Sequence, residues 1–336
     1  MNRLDIPIWI DCDPGHDDAV AILLSTCNPL FRVLGISASY GNASSQDTIN
    51  NALSLITALG KSHAIGVYQG CVKPWEVEAV YAPHIHGNSG LGGTELLPKP
   101  SVDVKSEYFL DAIEAAILKN KGEFSFVSLG PMTCIATLLR ERPYLKPHIK
   151  YVVLMGGGLD IGNSNANKSA EFNIFCDPHA ADFVLTDKTI SSRCVLIPLN
   201  LTGQVTATEA VLNNILGDGK SNIRRMYYEL LVYLSQCYRR EWFTEHGAPI
   251  HDPVTLMPLL QFYHVLDPDI VKFKYERMKL GVVLEKNGDE GMLIRASDDD
   301  GTDQEGVIVG TAVCVDFFWQ KIYDALDVAT STSTIE

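Results

Sequence analysis

The sequence predicts an α/β fold, an open and mainly parallel Rossmann-like sheet with helices on both faces. Three observations point there. The chain begins as strand, tight loop and helix. Runs of strand length then alternate with stretches of helical period, as in βαβ units. With 336 residues, 46% of them hydrophobic, there is ample material for a large core.

The elements follow in order. An apolar run enters at Ile6 and continues through Ile8-Trp9-Ile10, Pro14-Gly15 turns the chain, and residues 19–24 are again apolar. A second strand over 33–39 ends in Tyr40-Gly41-Asn42, and Ser44 or Ser45 caps a helix that runs to Leu59 and stops at Gly60. Residues 65–68 are a short strand. Residues 70–104 form a long loop holding His84-Ile85-His86-Gly87 and Leu91-Gly92-Gly93, and so long a loop in a compact domain is usually functional or mobile. A helix over 108–120, a strand over 124–129 and a helix opened by Gly130-Pro131 come next. The strand at 149–155 runs into Gly156-Gly157-Gly158, which meets neither the dinucleotide fingerprint nor the P-loop pattern. Asp177-Pro178 starts a helix, and 195–199 is a strand. Residues 206–240 are helical with a break at Gly217-Asp218-Gly219, and 253–262 form a short helix. The period then changes. Residues 278–285 and 291–296 read as a C-terminal β-hairpin around Asn287-Gly288, 307–315 as a further strand and 317–326 as a closing helix. Asp298-Asp299-Asp300 reads as a solvated loop. With no repeat or linker, 1–328 is expected to be a single domain and 329–336 a frayed, flexible tail.

Charge narrows the function. The 27 basic against 41 acidic residues leave a net charge of −14, which argues against nucleic-acid and anionic-membrane surfaces. No charge-free apolar run reaches transmembrane length, and the start Met-Asn-Arg-Leu-Asp-Ile-Pro has no signal-peptide core, so a cytoplasmic protein is expected. The eight cysteines are scattered without a Cys-x-x-Cys pair, which suits reduced, mostly buried thiols.

The chemistry concentrates at the first turn. Asp11, Asp13, Asp17 and Asp18 fall within eight positions. Asp11 and Asp13 share a face at a strand end, and Asp17 and Asp18 sit in the first helical turn, where the dipole favours anions. That field cannot neutralise four packed acids, so several hold protons or a cation sits among them. An all-oxygen cluster suits a hard cation, Ca²⁺ or Mg²⁺. An EF-hand is excluded, because counting from Asp11 the sixth position is His16 and the twelfth Ile22. An acidic N-cap alone would explain one acid and not four. In an open α/β sheet ligands bind outside the carboxyl ends of the strands, and the polar residues at 11–18, Asn42, Leu129-Gly130, 163–173 and His251-Asp252 can converge at one such rim.

Asp-Cys-Asp-Pro-Gly-x-Asp-Asp-Ala at 11–19 resembles the N-terminal signature of the nucleoside hydrolases, the inosine–uridine-preferring N-ribohydrolases, and most resembles their fungal uridine nucleosidase branch. The resemblance continues at Ala170-Glu171-Phe172-Asn173 and at Ile250-His251-Asp252-Pro253. It implies one Ca²⁺ per chain, held by Asp13, Asp18, Asp252 and the Leu129 carbonyl. It further implies ribose contacts from Asp17, Asn42, Asn163, Glu171 and Asn173, with Asn165 as the alternative to Asn163, and places Phe172 in the same motif. His86 and Tyr238 become nucleobase contacts and His251 a leaving-group contact or acid. Breaking an N-glycosidic bond builds positive charge on ribose and negative charge on the base; Asp13 is then the general base toward water and His251 the proton source. The implied activity is hydrolysis of ribonucleosides, uridine preferred, in nucleoside salvage, by a homodimer or homotetramer.

Other readings are weaker. His84-x-His86 resembles a zinc pair but lacks a third soft ligand. A haloacid-dehalogenase-like Mg²⁺ phosphatase also carries Asp-x-Asp after its first strand, but Gly15 stands where Thr or Val is expected. A non-catalytic Ca²⁺-stabilised binding protein is the third class.

Overall fold

The structure is a computed structural model and describes residues 5–242, 247–296 and 306–336. In chain order its elements are β1 (Ile6–Cys12), α1 (His16–Cys27), β2 (Phe31–Ala38), α2 (Ser45–Ala58), β3 (Val67–Gln69), α3 (Pro83–His86), α4 (Phe109–Lys119), β4 (Phe124–Ser128), α5 (Thr133–Glu141), β5 (Ile149–Met155), α6 (Phe172–Cys176), α7 (Pro178–Thr186), β6 (Cys194–Ile197), α8 (Leu199–Thr202), α9 (Glu209–Leu216), α10 (Asn222–Trp242), α11 (Met257–Phe262), α12 (Pro268–Val271), β7 (Lys274–Met278), β8 (Leu280–Val282), β9 (Leu293–Arg295), β10 (Val307–Ala312) and α13 (Val315–Thr332). Eight strands form one sheet in the order β3-β2-β1-β4-β5-β6-β10-β7. All its pairings are parallel except that of β7 with β10. The α/β class and mainly parallel sheet expected from the alternating pattern are therefore present.

Strand β1 shows why both faces carry helices. All seven of its residues are buried. Ile6, Ile8, Ile10 and Cys12 join the core formed with α1, α2 and α13, while Trp9 joins the opposite core with α4, α5 and α7. A period of two thus feeds two hydrophobic layers from one strand. The register sets Asp11 beside Ser37 of β2 and Ser128 of β4, so these three strands end at one level. The chain leaves β1 toward β2 and β3 on one side, while β4 lies on the other. The crevice between β1 and β4 is the topological switch point.

Several elements differ from expectation. The hairpin is present but short, β8 pairing antiparallel with β9. The long loop over 70–104 contains α3, opened by Pro83. Strand β7 lies at the sheet edge and is mostly exposed, so Lys-Tyr-Glu-Arg-Met carries no buried-strand pattern. Asp298-Asp299-Asp300 lies outside the described residues. The flexible tail predicted for 329–336 needs correction. Helix α13 continues to Thr332, Thr334 N donates to the Ala58 carbonyl at 3.0 Å, and Thr334 Oγ1 donates to the Thr57 carbonyl at 2.7 Å. The Glu336 carboxylate accepts from Ser221 Oγ, from Asn222 N at 3.3 Å and from Ile223 N at 3.1 Å. Hydroxyls and a carboxylate that read as solvated instead satisfy the free carbonyls ending α2 and the free amides opening α10.

Candidate active site

The loop after β1 is built by its own acids. Gly15 precedes α1, and Asp18 folds back so that Oδ2 accepts from Gly15 N at 2.9 Å and Oδ1 from Asp13 N at 3.2 Å. Asn42, just beyond β2, closes the other side. Its N–H donates to Asp13 Oδ2 at 2.7 Å, and its Nδ2 donates to Asp18 Oδ2 and to the Asp13 carbonyl, each at 3.2 Å. Two glycines leave the space that Asp13 fills. A Cβ on Gly41 would stand 2.0 Å from Asp13 Oδ2, and one on Gly130 2.3 Å from Oδ1. From the far end of the chain, His251 N donates to Asp17 Oδ2 at 3.3 Å, bringing Asp252 against the cluster.

The charge balance of this cluster is the central fact. Burial, then repulsion from Asp18, pushes the Asp13 carboxyl well above the usual carboxylate range. Burial, then Asp17 and Asp18, does the same to Asp252, and burial with Asp17 pushes Asp18 up to about 6. Asp11 is pushed up to about 7 by burial, against the hydrogen bond from Ser37. Asp13 Oδ1 is buried with no hydrogen-bond partner among the described residues, and the Asp18 and Asp252 side chains lie within hydrogen-bonding reach of each other. Ligand oxygens of Asp17, Asp18 and Asp252 lie within 4.8 Å of one another. Facing carboxylates need a proton or a cation between them, and an all-oxygen donor set fits a hard divalent cation. The residues present therefore fit the implied metal. The set that closes within this distance includes Asp17 and omits Asp13, whereas the resemblance implies Asp13, Asp18 and Asp252. His84 and His86 do not belong to it, which leaves the zinc reading without a site among the described residues.

Above the acids lies a cavity of about 270 Å³. Asp17, Asn42, His86, Leu129, Asn163, Glu171, Phe172, Asn173, Tyr238, His251 and Asp252 all line it. Asp13 and Asp18 sit beneath, bonded to Asn42. The Leu129 carbonyl, ending β4, accepts from Asn173 Nδ2 at 2.8 Å and keeps a second lone pair. Glu171 caps α6. Its Oε1 accepts from Asn173 N at 2.9 Å, while Oε2 accepts from Gly157 N at 2.9 Å and Ile174 N at 3.2 Å. Burial still lifts this carboxyl to about 6. Asn163 and Asn165 both line the cavity and differ in their bonds. Asn165 spends its amide on Ser169 and the Glu290 carbonyl, holding a left-handed turn at φ 56°. Asn163 uses its side-chain oxygen toward Ser164 Oγ at 3.0 Å, with no bond from its Nδ2 to a described residue.

At the opposite wall, His251 Nδ1 meets Thr202 Oγ1 at 2.7 Å and its Nε2 meets the Tyr238 hydroxyl at 2.8 Å. Tyr238 also packs on Trp242, ring centroids 4.6 Å apart. Burial lowers the basicity of His251, partly offset by Asp17. His86 is lowered well below the ordinary histidine value by burial, then by His16. His16 is pushed down to about 4 by burial. Sequence reasoning gave no role to Thr202, His16, Tyr233 or Trp242. Thr202 had a signal, since it follows the end of β6 on the same rim; Tyr233 lies within the stretch read as helical and Trp242 just beyond it, with nothing in either position to mark a site.

This constellation of strand-end acids, amides and a His–Tyr wall was compared with known proteins. A family model described as inosine-uridine preferring nucleoside hydrolase matches residues 8–320. The uridine nucleosidase of Saccharomyces cerevisiae is 46% identical over 340 residues, spanning 100% of both chains. The pyrimidine-specific ribonucleoside hydrolase RihA of Shewanella woodyi is 37% identical over 255 residues, 76% of this chain and 79% of its own. Among solved structures, a purine-preferring ribonucleoside hydrolase from Gardnerella vaginalis superposes with a TM-score of 0.84 at 26% identity, covering 97% of this chain and 99% of that one. The match runs from the first strand into the closing helix and takes in each of the acids described above, so the chain belongs to the inosine–uridine preferring nucleoside hydrolases.

Proposed function

We propose that this chain is a Ca²⁺-dependent N-ribohydrolase that cleaves ribonucleosides, uridine preferred, to free base and ribose in nucleoside salvage. The observation that carries this reading is the buried, uncompensated acid cluster beneath a cavity lined by amides on one side and a His–Tyr pair on the other. The uridine preference is carried over from the full-length yeast relative. The same reading assigns the chain to the cytoplasm and to a homodimer or homotetramer; light scattering at working concentration tests the assembly. No described helix is long and apolar enough to cross a membrane.

Asp13, Asp18, Asp252 and the Leu129 carbonyl would hold the cation, with Asp17 close enough to join them. When bound, it supplies positive charge that grips vicinal hydroxyls and makes water easier to deprotonate. Asp13, with an oxygen that has no hydrogen-bond partner among the described residues, accepts the proton of the attacking water. Water adds at the anomeric carbon, the N-glycosidic bond breaks, and its electron pair leaves with the base. Asn42, Asn163, Glu171 and Asn173 orient the sugar, and Glu171 offsets its cationic character. His251 and Tyr238 share a hydrogen bond at the base end, and a proton held by that pair passes to the departing base. A haloacid-dehalogenase-like phosphatase leaves these amides without a role.

Three results are expected. Elemental analysis of undialysed protein finds about one calcium per chain; a metal-free preparation with full activity contradicts the site. Steady-state rates with uridine, cytidine, inosine and adenosine place uridine first in kcat/KM, and a purine leading by about tenfold or more overturns the preference. His251→Ala loses about 10²–10⁴-fold on uridine but far less on a nitrophenyl riboside, whose leaving group needs no proton. Equal losses on both would make His251 a support for its neighbour Asp252 instead.

A further inference from the structure

His16 lies inside the acidic motif, yet its ring bonds elsewhere. Its Nε2 is 2.8 Å from the Gly92 carbonyl and its Nδ1 is 3.1 Å from Nδ1 of His86. The ring is buried and stacks on Tyr233, centroids 5.1 Å apart and planes 9° from parallel. Gly15 makes the approach feasible, because a Cβ there would stand 2.5 Å from His86 Nδ1. A carbonyl can only accept, so the His16 proton sits on Nε2. Neutral His16 then offers a lone pair at Nδ1, and two nitrogens facing each other share one proton. That proton belongs to His86 Nδ1. The backbone N–H of His16, 3.3 Å from the same nitrogen, favours the opposite tautomer, but it is the longer contact. With Nδ1 engaged, His86 meets the cavity it lines through Nε2, an acceptor without a protein partner in the described residues.

We propose that His16 is a positioning residue that sets base selectivity. By holding His86 in the Nδ1–H form, it makes the pocket select bases that present a ring N–H to Nε2, as the imide of uracil does. This rests on the reading of His86 as a base contact in a nucleosidase. The polarity of the cavity agrees. Uracil flanks its imide N–H with two carbonyl acceptors, and the Tyr238–His251 pair supplies a donor. A base that puts a lone pair or a methyl group at the imide position leaves Nε2 unpaired.

The direct test is the ¹⁵N NMR signature of the His86 ring in the calcium-loaded enzyme, assigned by its loss in His86→Gln. Nδ1 protonated and Nε2 unprotonated is the expected pattern; the reverse overturns the proposal whatever the kinetics. His16→Phe keeps an aromatic ring against Tyr233 and removes the lone pair, so the proton moves to Nε2, drawn by the backbone N–H of residue 16. His16→Asn can return an acceptor near the Nδ1 position and restores the first pattern. The kinetic counterpart compares uridine with 3-methyluridine, which keeps both carbonyls and lacks the N–H. Wild type prefers uridine by about tenfold or more, as expected for a buried acceptor left unpaired. That ratio falls in His16→Phe and recovers in His16→Asn. A ratio within about twofold of wild type in a His16→Phe enzyme that still cleaves nitrophenyl riboside refutes the role. Wild-type enzyme inactive on uridine would instead sink the nucleosidase reading, and the NMR signature would still decide the tautomer.

Discussion

Asp13→Asn is expected to fold, to keep its cation at raised calcium, and to lose nearly all turnover. The amide has the shape of the carboxylate, and the contact from Asn42 N to Oδ2 at 2.7 Å survives if the amide oxygen takes that place. The amide nitrogen then occupies the Oδ1 site, where the wild-type oxygen has no hydrogen-bond partner among the described residues. A group that must receive a proton has been replaced by one that cannot. General-base removal typically costs ~10²–10⁴-fold, and any loss of calcium affinity adds to it. Single-turnover rates at saturating calcium, with the fold checked by circular dichroism, decide the matter. Rates near wild type would remove Asp13 from proton transfer and leave it a structural anchor for the loop after β1.

The second large effect is on the substrate side. 2′-Deoxyuridine is expected to fall more than ~10²-fold below uridine in kcat/KM, toward the ~10⁴–10⁵-fold seen where a site is built around a hydroxyl that the analogue lacks. Asp17, Glu171 and Asn173 are buried polar groups on the cavity wall, and each unsatisfied partner there is costly. A water replacing the missing oxygen softens the penalty, hence the lower bound. The comparison is made under matched calcium. Comparable rates would mean that the sugar does not lie over the acids through its 2′-oxygen.

How much was readable in advance depended on whether a residue's reason for being there was local. Strand β1 and its acids were legible because an apolar run ending in four carboxylates has few physical explanations. The open parallel sheet followed from alternation of period. Strand β7 was missed, since its exposed residues need only one neighbour, β10, and that pairing is non-local. The tail was misread for a related reason. Ser, Thr and Glu look solvated until the carbonyls of Thr57 and Ala58 and the amides of α10 come within reach. At Asp252 and Asn173 the strand-end positions suggested a shared rim, but their individual roles came only from family resemblance, because nothing in their own neighbourhoods announces a meeting more than a hundred residues away. His16 was in plain view within the motif. Its partners, His86 and Gly92, are 70 and 76 positions distant in a loop whose fold no periodicity describes.

Helix α10 has a consequence of its own. It is tethered at its first turn by Glu336 and at its last by Arg240, whose guanidinium donates to the His84 carbonyl at 2.7 Å. Between those tethers it carries Tyr238 to the cavity wall beside His251 and Tyr233 onto the buried ring of His16. The carboxylates come from elsewhere: Asp11 lies at the end of β1, Asp13 follows that strand, Asp17 and Asp18 open α1, and Asp252 is held against them through the His251 N–H to Asp17. The aromatic wall and the acid floor of the cavity therefore come from separate stretches of the chain. On the nucleosidase reading proposed above, substitutions along α10 are expected to change which base is admitted while leaving the acid-bearing turn after β1 as it is.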